Sequence, residues 1–152
     1  MKFEKFLKAT GTHGTVIELN ESEKWLVCDG VGMLIPRGVD NLLGTPTNSE
    51  YAEIVQALSS AELDDPVTLK EAVLFDATGN AKAIYRVFET AFGDKVGIIN
   101  ADYGLLEQSD LLGYCEIEGE NIETGETIVV KYLLIYDYDK NLVGYITGSD
   151  KF

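Results

Sequence analysis

The chain has 152 residues, 45% hydrophobic and 25% charged, a composition inside the range of ordinary folded proteins and outside that of disordered chains. Its 26 acidic and 12 basic side chains leave a formal net charge of −14, with −7 in each half, so the negative charge is spread along the whole chain. Such a field repels nucleic-acid phosphate and anionic lipid, and it attracts cations and basic proteins.

Phe3, Phe6 and Leu7 lie at helical spacing, which predicts a short amphipathic helix over residues 2–9, ended by Gly11. Glu4 and Lys5 interrupt that segment, so a secretory signal is not expected. "GTVIEL" and "KWLVCD" flank the polar residues 20–23 and predict a hairpin. "GMLIP" adds a third short strand, stopped by Pro36, which cannot donate to a ladder. Residues 48–60 are the clearest helix: Tyr51, Ile54, Val55 and Leu58 form one apolar stripe, and Thr47 and Glu50 form a capping box. "SSAELDDP" ends it. The chain reads as one domain over 1–152, with any subdomain boundary near 59–66.

Beyond that point the chain is mostly strand. "VTLKEAVLF" and "AKAIYRVFET" are joined through the turn "DATGN", and "KVGII", "GYCEI", "ETIVVKYLLIYDY" and "LVGYIT" follow, the last two as a hairpin over "DKN". "ADYGLLEQSDLL" predicts a further helix, which Gly104 weakens. The fold class expected is α+β: a mainly antiparallel sheet, covered on one face or curled into a half barrel, with two or three short helices. Alternating βα units are absent, which disfavours a doubly wound fold.

Cys28 and Cys115 are far apart and flanked by apolar residues, so they are expected as buried reduced thiols. No run reaches the ~20 apolar residues of a membrane span, since Lys131 interrupts even the most apolar segment. Membrane association is not expected.

"KWLVCDGVGMLIPRG" invites comparison with a dinucleotide-binding loop. Its third glycine comes too late, however, and Pro36 stands where a phosphate-binding helix would start, so a bend between strands is the better reading. His13 is the sole histidine; it has no serine or cysteine in a catalytic context and reads as an exposed loop residue. One histidine also excludes two-histidine metal sites. Asp137, Asp139 and Asn141 occupy alternate positions of a calcium loop, but Leu142 and Gly148 fall where glycine and a bidentate glutamate are needed, so a polar hairpin turn is expected. No catalytic residue, metal ligand or cofactor emerges, and no carboxylate pair stands out from the rest.

Two features exceed what a core demands. Glu116 and Glu118 share one face of a strand, and Glu120, Glu123 and Glu126 carry the negative charge into the next turn, as on an edge strand protected against aggregation. Tyr132, Leu134, Tyr136 and Tyr138 share a strand face, which suits half-exposed packing or a protein interface. Tyr132, Tyr136, Tyr138, Glu116 and Glu118 are therefore the candidate binding residues, and a partner protein with a basic, partly apolar surface is the expected ligand.

The segments "KATGTHGTV", "KWLVCDGVGMLIPRGV" and "VGIINADYGLLE" together resemble small acidic, uncharacterised proteins of bacteriophages and prophages. The resemblance spans most of the chain and carries over no site residue. It implies a bacterial cytoplasm or a virion, and a role in phage replication, assembly or host takeover. The expected function is non-enzymatic protein binding, as a host-factor binder, DNA mimic or assembly component, without direct nucleic-acid binding. The alternative is a carboxylate-based hydrolase whose site only the fold assembles.

Overall fold

The computed structural model describes residues 1–11, 13–20, 23–38, 50–61, 66–70, 72–76, 82–150 and 152. In chain order its elements are α1 (Phe3–Thr10), β1 (Thr15–Asn20), β2 (Glu23–Cys28), β3 (Val31–Leu34), α2 (Glu50–Ser59), β4 (Thr68–Leu69), β5 (Val73–Asp76), β6 (Lys82–Glu89), β7 (Lys95–Ile99), α3 (Asn100–Tyr103), β8 (Leu111–Glu120), β9 (Thr127–Tyr136) and β10 (Leu142–Thr147). The class is α+β, and every strand pairing is antiparallel.

The larger sheet has six strands in the order β1-β2-β3-β10-β9-β8 and stays open, with β1 and β8 at its edges. The alternation of side chains along its strands decides what covers it. Ile17, Trp25, Val27, Tyr132, Leu134, Tyr136 and Tyr145 point to one face and pack beneath Val55 and Leu58 of α2. Val16, Leu26, Val31, Met33, Leu133, Ile135 and Ile146 point to the other, where Phe6 of α1 and Phe88, Val96 and Ile98 of the smaller sheet close over them. The sheet is thus covered on both faces, which corrects the expectation of one covered face. Each of these fully buried aliphatic side chains stabilises the fold by about 1.5–3 kcal/mol.

In the smaller sheet β6 is central, with β7 on one edge and β4 and β5 sharing the other. Where a single strand is expected over "VTLKEAVLF", the structure has the two strands β4 and β5, and the Lys70 N–H reaches the Val87 carbonyl at 2.6 Å. The helix expected in "ADYGLLEQSDLL" is the single turn α3, which ends at Tyr103, and the last two leucines of the segment start β8. Thr47 of the expected capping box and residues 77–80 of "DATGN" lie outside the described residues. Among the described residues no helix is long and apolar enough to span a membrane.

The glycine-rich stretch is a hairpin rather than a bend. Asp29 and Gly30 have φ of +49° and +80° and connect β2 to β3 in two residues, the geometry that Asp-Gly favours because its twist matches the flanking strands. Gly32 faces Tyr145 across the ladder, and the tyrosine ring occupies the space a Cβ would fill. Both glycines therefore serve the sheet and not a phosphate.

Candidate functional site

The β8–β9 ladder runs from Leu111 opposite Tyr136 to Glu120 opposite Thr127. β10 accompanies β9 only up to Thr147 opposite Tyr132, and the Gly148 N–H then closes on the Lys131 carbonyl at 2.7 Å. Past Lys131 β10 no longer flanks β9; Ile117 and Val130 still pack against the core beneath α2, and beyond them the β8–β9 hairpin continues as a two-stranded arm of exposed residues. Its tip is held by its own side chains: Asn121 Oδ1 accepts from the Glu123 N–H at 3.0 Å and Thr124 Oγ1 from the Glu126 N–H at 3.3 Å. The Asn121 backbone closes the loop, donating to the Glu126 carbonyl at 2.8 Å and accepting from the Gly125 N–H at 2.7 Å.

The arm combines two kinds of exposed side chain. Glu116, Glu118, Glu120, Glu123 and Glu126 are all exposed, and no lysine or arginine lies between residues 113 and 130. Among them Ile122 is 99% exposed, Ile128 47% and Val129 49%. Lys131 stands at the base of the arm, where its Nζ donates to the carbonyls of Lys95 at 3.0 Å and Phe152 at 2.8 Å. The Tyr114 hydroxyl donates to the Glu116 carboxylate, and burial, this bond and the neighbouring negative charge push the phenol well above its ordinary range.

The structure separates the candidate residues of the sequence. Glu116 and Glu118 lie on edge strand β8 within the arm. Tyr132 and Tyr136 do share a face, but it is the face beneath α2, where they are 5% and 3% exposed. Tyr132 meets Tyr145 edge-on at 5.8 Å, and the Tyr136 hydroxyl donates to the Ala61 carbonyl at 3.2 Å. They are core residues, which corrects the half-exposed tyrosine face. Tyr138 falls beyond the end of β9 in the turn to β10 and is 88% exposed. That turn uses Asp137 Oδ1 to accept from the N–H groups of Asp139 and Asn141, each at 2.9 Å, so the carboxylate serves its own loop. His13 is exposed, and both cysteines are free and half-buried rather than fully buried.

A second feature lies elsewhere on the molecule. A cleft of about 490 Å³ opens between α1, the Asp29–Gly30 turn and α3, with Lys5, Thr10, Cys28, Asp29 and Asp102 as polar lining. Asp29 is exposed and Asp102 half-buried. Burial first, and the Asp29 charge second, raise the Asp102 carboxyl to about 6. Burial, the same charge and an S–H bond to Asp29 at 3.6 Å push the Cys28 thiol up, which disfavours the thiolate. The Thr10 hydroxyl donates to the Leu7 carbonyl at 2.9 Å, and Lys5 Nζ to the Gly104 carbonyl at 3.2 Å. Near pH 6 the Asp102 carboxyl is partly protonated.

Sequence reasoning missed this pair and the exposed isoleucines. Asp29 and Asp102 meet only through the tertiary fold, and the sole local hint is the Asp-Gly turn that places Asp29 at a strand end. Ile122 had a signal: an isoleucine inside a polar glutamate loop has no core within reach. No family model, curated protein or solved structure matches the chain.

Proposed function

We propose that the protein acts without catalysis, using the β8–β9 arm to bind a basic, partly apolar segment of another protein. The observation that carries this reading is the exposure of Ile122, Ile128 and Val129 on a segment with five glutamates and no basic residue. Protection of an edge strand accounts for the glutamates but not for the apolar side chains among them. Lysines or arginines of a partner would meet Glu116, Glu118 and Glu120, while its apolar residues would cover Val129 and Ile122. Of the three candidate tyrosines only Tyr138 is exposed enough to touch such a partner, and it lies off the arm. In a DNA-mimic version the partner is a nucleic-acid-binding protein and DNA competes for it; in an assembly version it is a virion component. The resemblance to phage proteins supports a setting in an infected bacterial cytoplasm or a virion.

The test is retention of proteins from a bacterial lysate on the immobilised chain, washed at low and then high salt. Controls are a Glu118→Lys, Glu120→Lys variant and an Ile122→Ser, Val129→Ser variant. A protein with a basic surface should be held at low salt, released at high salt and lost by both variants. Nothing held at low salt, or equal retention by all three chains, would end the reading.

A second reading, a carboxylate-based hydrolase, draws on the different burial of Asp29 and Asp102 in one cleft and on the Asp102 carboxyl, which burial and the Asp29 charge raise to about 6. It ranks below the first because the cleft holds no activated nucleophile. Turnover of ester, glycoside or phosphate substrates that breaks near pH 6 and disappears in Asp102→Asn would establish it, and no turnover would remove it.

A further inference from the structure

The cleft between α1, the Asp29–Gly30 turn and α3 has the size and composition of a small-molecule site, which typically runs from about 300 to 1,000 Å³ with an apolar lining and a few placed polar groups. Phe6, Val31 and Leu105 give it an apolar floor, and Asp29 and Asp102 are its two carboxylates. Neither is ion-paired among the described residues. Lys5, the cation of the lining, gives its Nζ to the Gly104 carbonyl instead. Two carboxylates in one lining repel each other, and the single Lys5 ammonium leaves the space a net negative charge, so the arrangement carries a penalty. A bound cation removes that penalty.

We infer that this cleft binds a small primary amine, its ammonium group between Asp29 and Asp102 and its apolar body against Phe6, Val31 and Leu105. A primary ammonium brings three N–H donors to two groups that only accept. A divalent cation fits less well: calcium takes about six to eight oxygen ligands, and no cluster of three His, Cys, Asp or Glu side chains occurs among the described residues. An anion is disfavoured by the field of both carboxylates. The inference depends on neither the arm nor turnover, since the cleft lies away from the arm and a held amine need not react.

The charge on Asp102 makes binding pH-dependent. The groups facing it from neighbouring elements are Lys5 on α1 and Cys28 and Asp29 at the β2–β3 turn. Asp29 and burial hold Asp102 near 6, so it gains its charge as pH rises through that value. An alkylamine stays protonated far above this, like lysine at about 10.4. Affinity should therefore climb between pH 5 and pH 7.5.

The experiment is a titration of the isotope-labelled chain with hexylamine, hexanol and hexanoate, followed through backbone amide shifts at both pH values. At pH 7.5 hexylamine should produce saturable shifts at residues 28–31 and 100–105 and bind about tenfold more tightly than hexanol, the equivalent of ~1.4 kcal/mol. Asp29→Asn, Asp102→Asn and the step to pH 5 should each weaken it several-fold. Asparagine tolerates positive φ, so the Asp29 variant keeps its turn, and its unaltered spectrum away from the cleft verifies the fold. Equal binding of hexanol, shifts scattered over the acidic surface, no saturable shift, or affinity unmoved by both variants would each overturn the inference.

Discussion

Glu116 lies directly across the β8–β9 ladder from Lys131, yet the two form no ion pair. Lys131 turns to the carbonyls of Lys95 and Phe152, and Glu116 accepts from the Tyr114 hydroxyl instead. The Lys131 ammonium is thus spent on backbone and not on the Glu116 carboxylate across from it.

Unequal costs follow from that division. Lys131→Met removes two charge-assisted hydrogen bonds and should destabilise the chain by about 1.5–3 kcal/mol, whereas Glu116→Gln, at an exposed position, should change stability by less than about 0.5 kcal/mol. Urea unfolding of both variants measures this, and equal losses would point to an ion pair in solution.

Gly32→Ala should destabilise by about 1–3 kcal/mol, the usual range for overpacking. The added methyl meets the ring of Tyr145, itself 2% exposed and held between Trp25 and Tyr132, so the ring has little room to move. Thermal unfolding reads the loss, and Gly32→Ala with Tyr145→Leu should recover part of it.

The amino group of Met1 and Asp110 form a pair at 2.8 Å, with side chains only 2% and 6% exposed. The other Asp110 oxygen accepts from the Glu107 N–H at 2.8 Å. Asp110→Ala removes the partner of a part-buried ammonium and of the Glu107 N–H and should cost about 1.5–3 kcal/mol. Chemical denaturation checks it, and a loss below about 1 kcal/mol would mean that the pair is hydrated.

Asp102 gives a prediction whose sign depends on pH. Its folded carboxyl is held at about 6, above the ordinary 3.8, so the folded state binds the extra proton between those values and loses stability as pH rises through them. Replacing the charge should therefore help only above that window. Asp102→Asn is expected to raise the melting temperature at pH 8, with a gain of at most about 1 kcal/mol after solvent screening, and to leave it unchanged near pH 3.5. A variant less stable than the natural chain at pH 8 would contradict this.

Much of the sheet was legible because period-two alternation survives in single strands: the β1–β2 and β9–β10 hairpins and the split of Tyr132 and Leu134 from Leu133 and Ile135 all come from local pattern. What covers each face was not. Tyr132 and Tyr136 are buried by α2, more than seventy residues earlier, and no local pattern records that contact. The pairing of β3 with β10 is equally distant, and it explains Gly32 only once Tyr145 is opposite. Of the candidate binding residues Glu116 and Glu118 are at the surface because they alternate with Cys115 and Ile117, which pack against the core beneath α2, and so take the opposite, exposed face.

The central claim is that the arm, and not the acidic surface at large, receives a basic and partly apolar segment. The most direct measurement is a titration of the isotope-labelled chain with a seven-residue peptide alternating lysine and valine, with a serine–valine peptide as control. Amide shifts concentrated at residues 116–130, weakened by salt and absent with the control peptide, are the predicted result. Shifts spread evenly over both halves of the chain, or centred away from the arm, would contradict it.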